Sequence, residues 1–163
     1  MTLPVFFLSS CSNEILPSNK SPVLSFSSVG SFIENENVVT FNLVAKDKDD
    51  ITIKIISPAG AQGLTFKKNN DKTVVSYKDL EVKNDEVDII KGSFISDILN
   101  ILRYFEQKSA LNVISSENGI TTYSGTMESG DFEVEVYDSS GFIKEIRCLK
   151  HNLVVTLSDH ERI

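Results

Sequence analysis

Apolar and polar residues alternate with a period of two along much of the chain. Val39, Phe41, Leu43 and Ala45 share one side of an extended segment, and Ile51, Ile53 and Ile55 share one side of the next. Val75 and Tyr77 follow, then Leu80 and Val82; Phe132, Val134 and Val136 alternate with Glu133 and Glu135, and Leu153, Val155 and Leu157 end the series. Successive side chains of a strand point to opposite faces, so each run predicts a strand with one dry and one wet side. The runs are separated by clusters of Asn, Asp, Ser and Gly, such as 34–37, 46–50, 68–71, 116–119, 128–131 and 138–141. These residues tolerate the positive φ of tight hairpins, and the whole pattern predicts an antiparallel meander.

The segment from Gly92 to Lys108 breaks that rhythm. Phe94, Ile95, Ile98, Leu99, Ile101, Leu102 and Phe105 fall within an arc of roughly 160° at a helical period. Ser96, Asp97, Asn100, Arg103, Tyr104 and Gln107 occupy the rest of the circle. Ser93 suits the N-cap, and Asp97 in the early helix complements the dipole. The prediction is one main amphipathic helix between two groups of strands. That pattern gives an α+β architecture, a curved antiparallel β-sheet packed around the helix. The small-residue stretch Pro58 to Gly63 reads as a wide connection between strands, or as a place where a partner backbone can approach closely.

Length and charge narrow the functional classes. A chain of 163 residues suits a single domain. The net charge of −7, with only Arg103, Arg147 and Arg162 as arginines, offers no basic stripe, so nucleic acid is not expected as a partner. No run of 18 apolar residues occurs that would span a membrane as a helix. Cys148, in an apolar strand-like segment, reads as a buried small hydrophobe; nothing in the sequence supports its pairing with Cys11.

The N-terminus carries a pattern of its own. Residues 3–11 run Leu-Pro-Val-Phe-Phe-Leu-Ser-Ser-Cys, followed by a Ser-, Asn- and Pro-rich stretch to Pro22. Leu8-Ser9-Ser10-Cys11 resembles the lipobox of bacterial lipoproteins. That resemblance implies a diacylglycerol on Cys11, with residues 1–10 the remnant of a signal peptide and 11–22 a flexible tether to a single domain over 23–163. It also implies an envelope location, with the membrane as partner through the N-terminal lipid and the domain outside the cytoplasm. Neither Lys nor Arg precedes Lys20, so the positively charged start of a signal peptide is missing. The competing reading is an apolar N-terminal strand with a chance cysteine.

Signals for chemistry are sparse. His151, in a turn, and His160, in the polar tail, have no neighbours at zinc-ligand spacing and read as solvated. The chain contains no nucleophile elbow and no glycine-rich phosphate loop. Asp47-Lys48-Asp49-Asp50 lacks the spacing of a calcium loop. Glu133 and Glu135 sit on the wet face of a strand, where their mutual repulsion has no catalytic purpose. No cofactor, metal or catalytic residue is expected, and the chain is read as a non-enzyme. The remaining functional element is the space between helix and sheet. Phe94, Ile98, Leu102 and Phe105 on the helix, with Phe41, Leu43, Ile53 and Phe66 from the first strands, either line an apolar cleft for a lipid or acyl-chain ligand or fill a dry core.

The order of segments also resembles a known family. Val38–Lys46, then Ile51–Pro58 ending in Ser-Pro, then Gly63-Leu64-Thr65-Phe66 and Thr73 to Leu80, precede the amphipathic helix. This is similar to the LolA-like superfamily of periplasmic lipoprotein carriers and their lipoprotein relatives. The resemblance implies a half-barrel whose cavity accepts acyl chains. Those carriers begin with a long amphipathic helix that the Ser- and Pro-rich residues 12–30 do not form, so an envelope lipoprotein that keeps the scaffold is expected rather than a carrier. It would bind an apolar ligand or a protein partner in or near the concave face. The alternative is a structural or regulatory protein-protein interaction domain without a ligand pocket.

Overall fold

The computed structural model describes residues 22–34, 36–47, 49–70, 72–84, 93–105 and 111–163. Cys11 and most of the proposed tether lie outside them. The described elements are β1 (Phe26–Glu34), β2 (Asn37–Ala45), β3 (Asp50–Ser57), β4 (Thr65–Asn69), β5 (Lys72–Tyr77), β6 (Leu80–Asn84), α1 (Phe94–Tyr104), β7 (Asn112–Glu117), β8 (Ile120–Met127), β9 (Gly130–Tyr137), β10 (Ile143–Cys148) and β11 (Leu153–Arg162). The strands form one sheet in the order β6-β5-β4-β3-β2-β1-β11-β10-β9-β8-β7. Every neighbouring pair is antiparallel.

Two meanders, β1–β6 and β7–β11, are joined through one ladder between the first strand and the last. Phe26 pairs with Arg162 and Gly30 with Leu157. β1 carries Ser27, Ser28, Gly30 and Ser31, which break the apolar alternation, and the strands legible in the sequence begin only at Val38. Its position in mid-sheet comes from pairing on both edges, with β2 and β11.

The alternation seen in sequence is otherwise the burial pattern of the sheet. Phe41, Leu43, Ile53, Phe132, Val134, Ile146 and Val155 are all fully or almost fully buried. They belong to a single core with the helix residues Ile95, Ile98, Leu99, Ile101 and Leu102. Ser93 caps α1, its Oγ accepting from the Ser96 N–H at 3.3 Å.

The sheet has to bend to reach this helix. At the start of α1, Phe94 lies beside Phe66 of β4 in the wall of one hollow, and Phe105 at the other end meets Tyr123 of β8 edge-on at 6.2 Å. Strands β4 and β8 are seven positions apart in the sheet order, roughly 34 Å at about 4.8 Å per strand. Phe94 to Phe105 spans only about 16 Å of helix. A flat sheet cannot touch both ends of so short a helix, so the sheet wraps it as an open half-barrel. Two glycines help it close up. A Cβ on Gly30 would lie 2.2 Å from the Phe41 ring, and one on Gly125 would lie 2.5 Å from the Phe132 ring. Each glycine is paired across strands with that aromatic residue, which folds over the bare backbone.

Four side chains differ from their sequence reading. Asp97, assigned to the polar arc of α1, is buried. His160 is part of β11 rather than a polar tail, and its ring stacks on Phe142 at 4.9 Å. Leu80 and Val82, counted among the alternating core positions, are exposed at 73% and 50%, because β6 is the edge strand beyond the reach of the helix.

Candidate functional site

The eight residues predicted to line a cleft divide into two groups. Phe41, Leu43, Ile53, Ile98, Leu102 and Phe105 are each at most 2% exposed, packed into the core between sheet and helix. Phe66 and Phe94 are partly buried and form walls of an apolar hollow of about 230 Å³. The loop after β3 closes its other side with Pro58, Ala61 and Leu64, over a floor of Val39 and Ile55. Phe94 is held in place from behind by Phe32 of β1, with ring centroids 4.1 Å apart.

The loop geometry explains why this hollow exists. The Ile55 N–H donates to the Leu64 carbonyl and the Gly63 N–H to the Ile55 carbonyl, so residues 56–62 arch away from the ladder. Gly63 supplies the positive φ of 89° at which the chain turns back. The arch leaves a gap over β2 and β3 that α1 covers only through Phe94. The sequence signal was the small-residue stretch Pro58 to Gly63, whose function as a wall depended on where the helix docked.

Among the described residues no charged side chain lines this hollow. The described walls can therefore take a short apolar group by dispersion and burial. The hollow is smaller than the usual 300–1,000 Å³ of small-molecule sites, which suits one end of a chain rather than a whole ligand.

Elsewhere the titratable groups are engaged in packing. The Cys148 thiol is free and buried. Burial first, and the Asp97 charge second, push it up to about 12, so it is not a thiolate nucleophile at neutral pH. Asp97 lies 4.0 Å from His151 Nε2, and this contact joins α1 to the 3-10 turn Leu149–His151 after β10. Burial lowers the pKa of His160, countered in part by the Leu157 backbone and the Asp159 charge. Neither His160 ring nitrogen has a well-formed hydrogen bond, so the Leu157 contribution is weak.

On the outer face, Glu133 and Glu135 do not confront each other unscreened. Arg147 reaches both, at 3.5 and 2.9 Å, and Lys144 meets Glu135 at 2.7 Å. Arg147 Nε also lies 2.6 Å from Glu145 Oε1, a close ion pair without hydrogen-bond alignment. Among the described residues no three His, Cys, Asp or Glu side chains gather as a metal site, and no helix is long and apolar enough to cross a membrane.

No protein-family description and no curated protein matches the chain. Solved structures do. An uncharacterized conserved protein from Thermus thermophilus aligns with a TM-score of 0.56 at 10% identity, over 89% of this chain and 81% of that one. The LolA superfamily protein NE2245 from Nitrosomonas europaea aligns with a TM-score of 0.44 at 10% identity, over 85% of this chain and 86% of that one. At such low identity a likeness bears on fold alone, and the first alignment shows that the α+β sheet-and-helix scaffold is shared with a solved protein.

Proposed function

We propose that the chain is a non-enzymatic envelope lipoprotein that holds an apolar ligand, a lipid or acyl chain, at the mouth of its LolA-like half-barrel. The observation that carries this reading is the hollow beside Phe94 and Phe66, whose described walls are all apolar. Six of the eight sequence-predicted lining residues belong to the core instead, so ligand contact is confined to Phe66, Phe94 and the arch from Pro58 to Leu64. Anchoring through a lipid on Cys11, and with it a domain outside the cytoplasm, rests on the lipobox resemblance.

Native mass spectrometry of protein purified from cells tests the ligand. Wild type should carry an acyl-containing species, and Ala61→Phe, which fills the hollow from its wall, should lose it while keeping its unfolding midpoint. A ligand-free wild type that also fails to take up a fluorescent fatty acid refutes the reading. Metabolic labelling with a tagged fatty acid tests the anchor, with label expected on wild type and lost in Cys11→Ala; unlabelled wild type overturns it.

The second reading, an interaction domain without a ligand pocket, is favoured by the dense packing of those six residues. Under it, Ala61→Phe would leave every bound mass unchanged.

A further inference from the structure

The large apolar side chains that remain in solvent are not scattered. The antiparallel order gives the half-barrel two rims. One carries the β1–β2, β3–β4, β5–β6, β8–β9 and β10–β11 connections, and the other carries the β2–β3, β4–β5, β7–β8 and β9–β10 connections. Ten large hydrophobics are exposed among the described residues; seven of them lie at or next to the first rim, and Val82 and Ile114 lie at mid-strand on β6 and β7. Ile33 and Val38 flank the β1–β2 turn, Leu80 follows the β5–β6 turn, Leu149 and Val154 bracket the β10–β11 corner, and Val113 is the second residue of β7. Ile163 lies at the second rim, whose connections carry Asp47, Asp49, Asn70, Asn118 and Asp138, whereas at the first rim exposed aliphatic residues stand among exposed Glu36, Lys78, Asp79, Glu128 and Lys150.

We propose that the first rim docks on a lipid bilayer surface. Three observations favour a bilayer over a protein or a second copy. First, the aliphatic residues belong to both halves of the sheet, from the edge strand β6 through β1 and β11 to the edge strand β7. A planar apolar phase meets a whole rim at once, whereas a protein partner needs its contacts gathered on one patch. Second, the exposed side chains sit on both sheet faces. Ile33 and Val38 have the opposite parity to the buried Phe32 and Val39, and with Val154 they border an outer hollow of about 490 Å³. The apolar pocket at Phe94 opens at the same rim, beside Val39 and Ile55, so apolar surface continues from pocket to rim. Third, the chain carries −7, which opposes pairing with a second copy and with an anionic lipid surface and makes a zwitterionic bilayer the matching lipid phase. The docking uses side chains outside the pocket and stands whether or not the pocket holds a ligand.

Vesicle flotation with the full-length Cys11→Ala chain tests this without the lipid anchor. Wild-type side chains at the rim should carry the protein up with phosphatidylcholine vesicles, about equally at low and high salt, and less so when phosphatidylglycerol is added. Val38→Ser combined with Leu80→Ser should reduce the floated fraction at least tenfold, with an unchanged circular dichroism spectrum, and Ile163→Ser should not reduce it. Ala61→Phe should float like its parent, which separates rim docking from pocket occupancy. Protein that stays at the bottom with every vesicle, or rim variants that float undiminished, would overturn the proposal. So would a concentration-dependent dimer abolished by the same rim substitutions, since the rim would then serve a second copy.

Discussion

Gly30→Ala places one methyl group where the Phe41 ring now lies, and the cost follows from the geometry. The new Cβ would sit 2.2, 2.4 and 2.8 Å from three ring carbons, against an optimum of about 3.5–4.0 Å for carbon contacts. The ring must therefore retreat by more than about 1 Å, yet Phe41 is fully buried and packed near Phe32, with centroids 6.2 Å apart. Overpacking of this kind costs about 1–3 kcal/mol, and forcing the ring off its rotamer adds about 0.5–1.5 kcal/mol. The stiffer unfolded chain returns about 0.4–1 kcal/mol, leaving a net loss of about 2 kcal/mol. Gly60 is an internal control, because nothing lies within 4 Å of the position its added methyl group would take and its backbone is not left-handed. Gly60→Ala should therefore be neutral or gain up to about 1 kcal/mol. The chain has no tryptophan, so urea unfolding is followed by far-ultraviolet circular dichroism. With a slope of about 2 kcal/mol per molar, the Gly30→Ala midpoint should drop by about 1 M. Phe41→Leu in that background should recover part of the loss. A Gly30→Ala midpoint equal to or above wild type would refute the account of the aromatic ring folded over bare backbone.

Other outcomes follow from the same structure. Leu102→Asp buries a carboxylate in the helix-sheet core and should cost at least about 4 kcal/mol; a folded protein by thermal melt would show that this face is an open cleft. Arg147→Ala leaves Glu133, Glu135 and Glu145 facing one another. Because Arg147 is itself 38% exposed, screening holds the loss to about 1 kcal/mol, and the difference from wild type should shrink in 1 M salt by about half or more; a salt-independent difference would assign the effect to packing. His160 has a lowered pKa in the fold, mainly through burial, so the unfolded chain takes up its proton first as pH falls. Stability is complete above the ordinary value of 6.5 and declines as pH drops below it. The slope of unfolding free energy against pH in that window should flatten in His160→Phe, and an unchanged slope would locate the titration elsewhere.

Much of the fold could be read locally. The turn clusters and the alternation from Val39 to Ala45, from Ile51 to Ile55 and from Phe132 to Val136 located strands with the correct dry face, because a period of two needs no partner to be recognised. The helix was equally plain, and Ser93 caps it as expected. The candidate site was only half legible. Phe66 and Phe94 do border a hollow, but Ile98 and Leu102 are indistinguishable from them by periodicity and lie in the core. Periodicity states that a side chain has a dry side without stating whether that side ends in a void or in another side chain.

What the sequence by itself determined was therefore most of the local elements and the dry face of the strands and helix that build the core. Tertiary structure alone decided that β1, with its serines and Gly30, is the central strand, since its place depends on β11, more than 120 residues away. It also decided that Asp97 is enclosed, that His160 stacks on Phe142, and that Leu80 is stranded at an edge. The physical reason is that a residue's own neighbours in sequence set its backbone conformation, whereas its solvent exposure depends on which distant strand or helix end comes to lie over it.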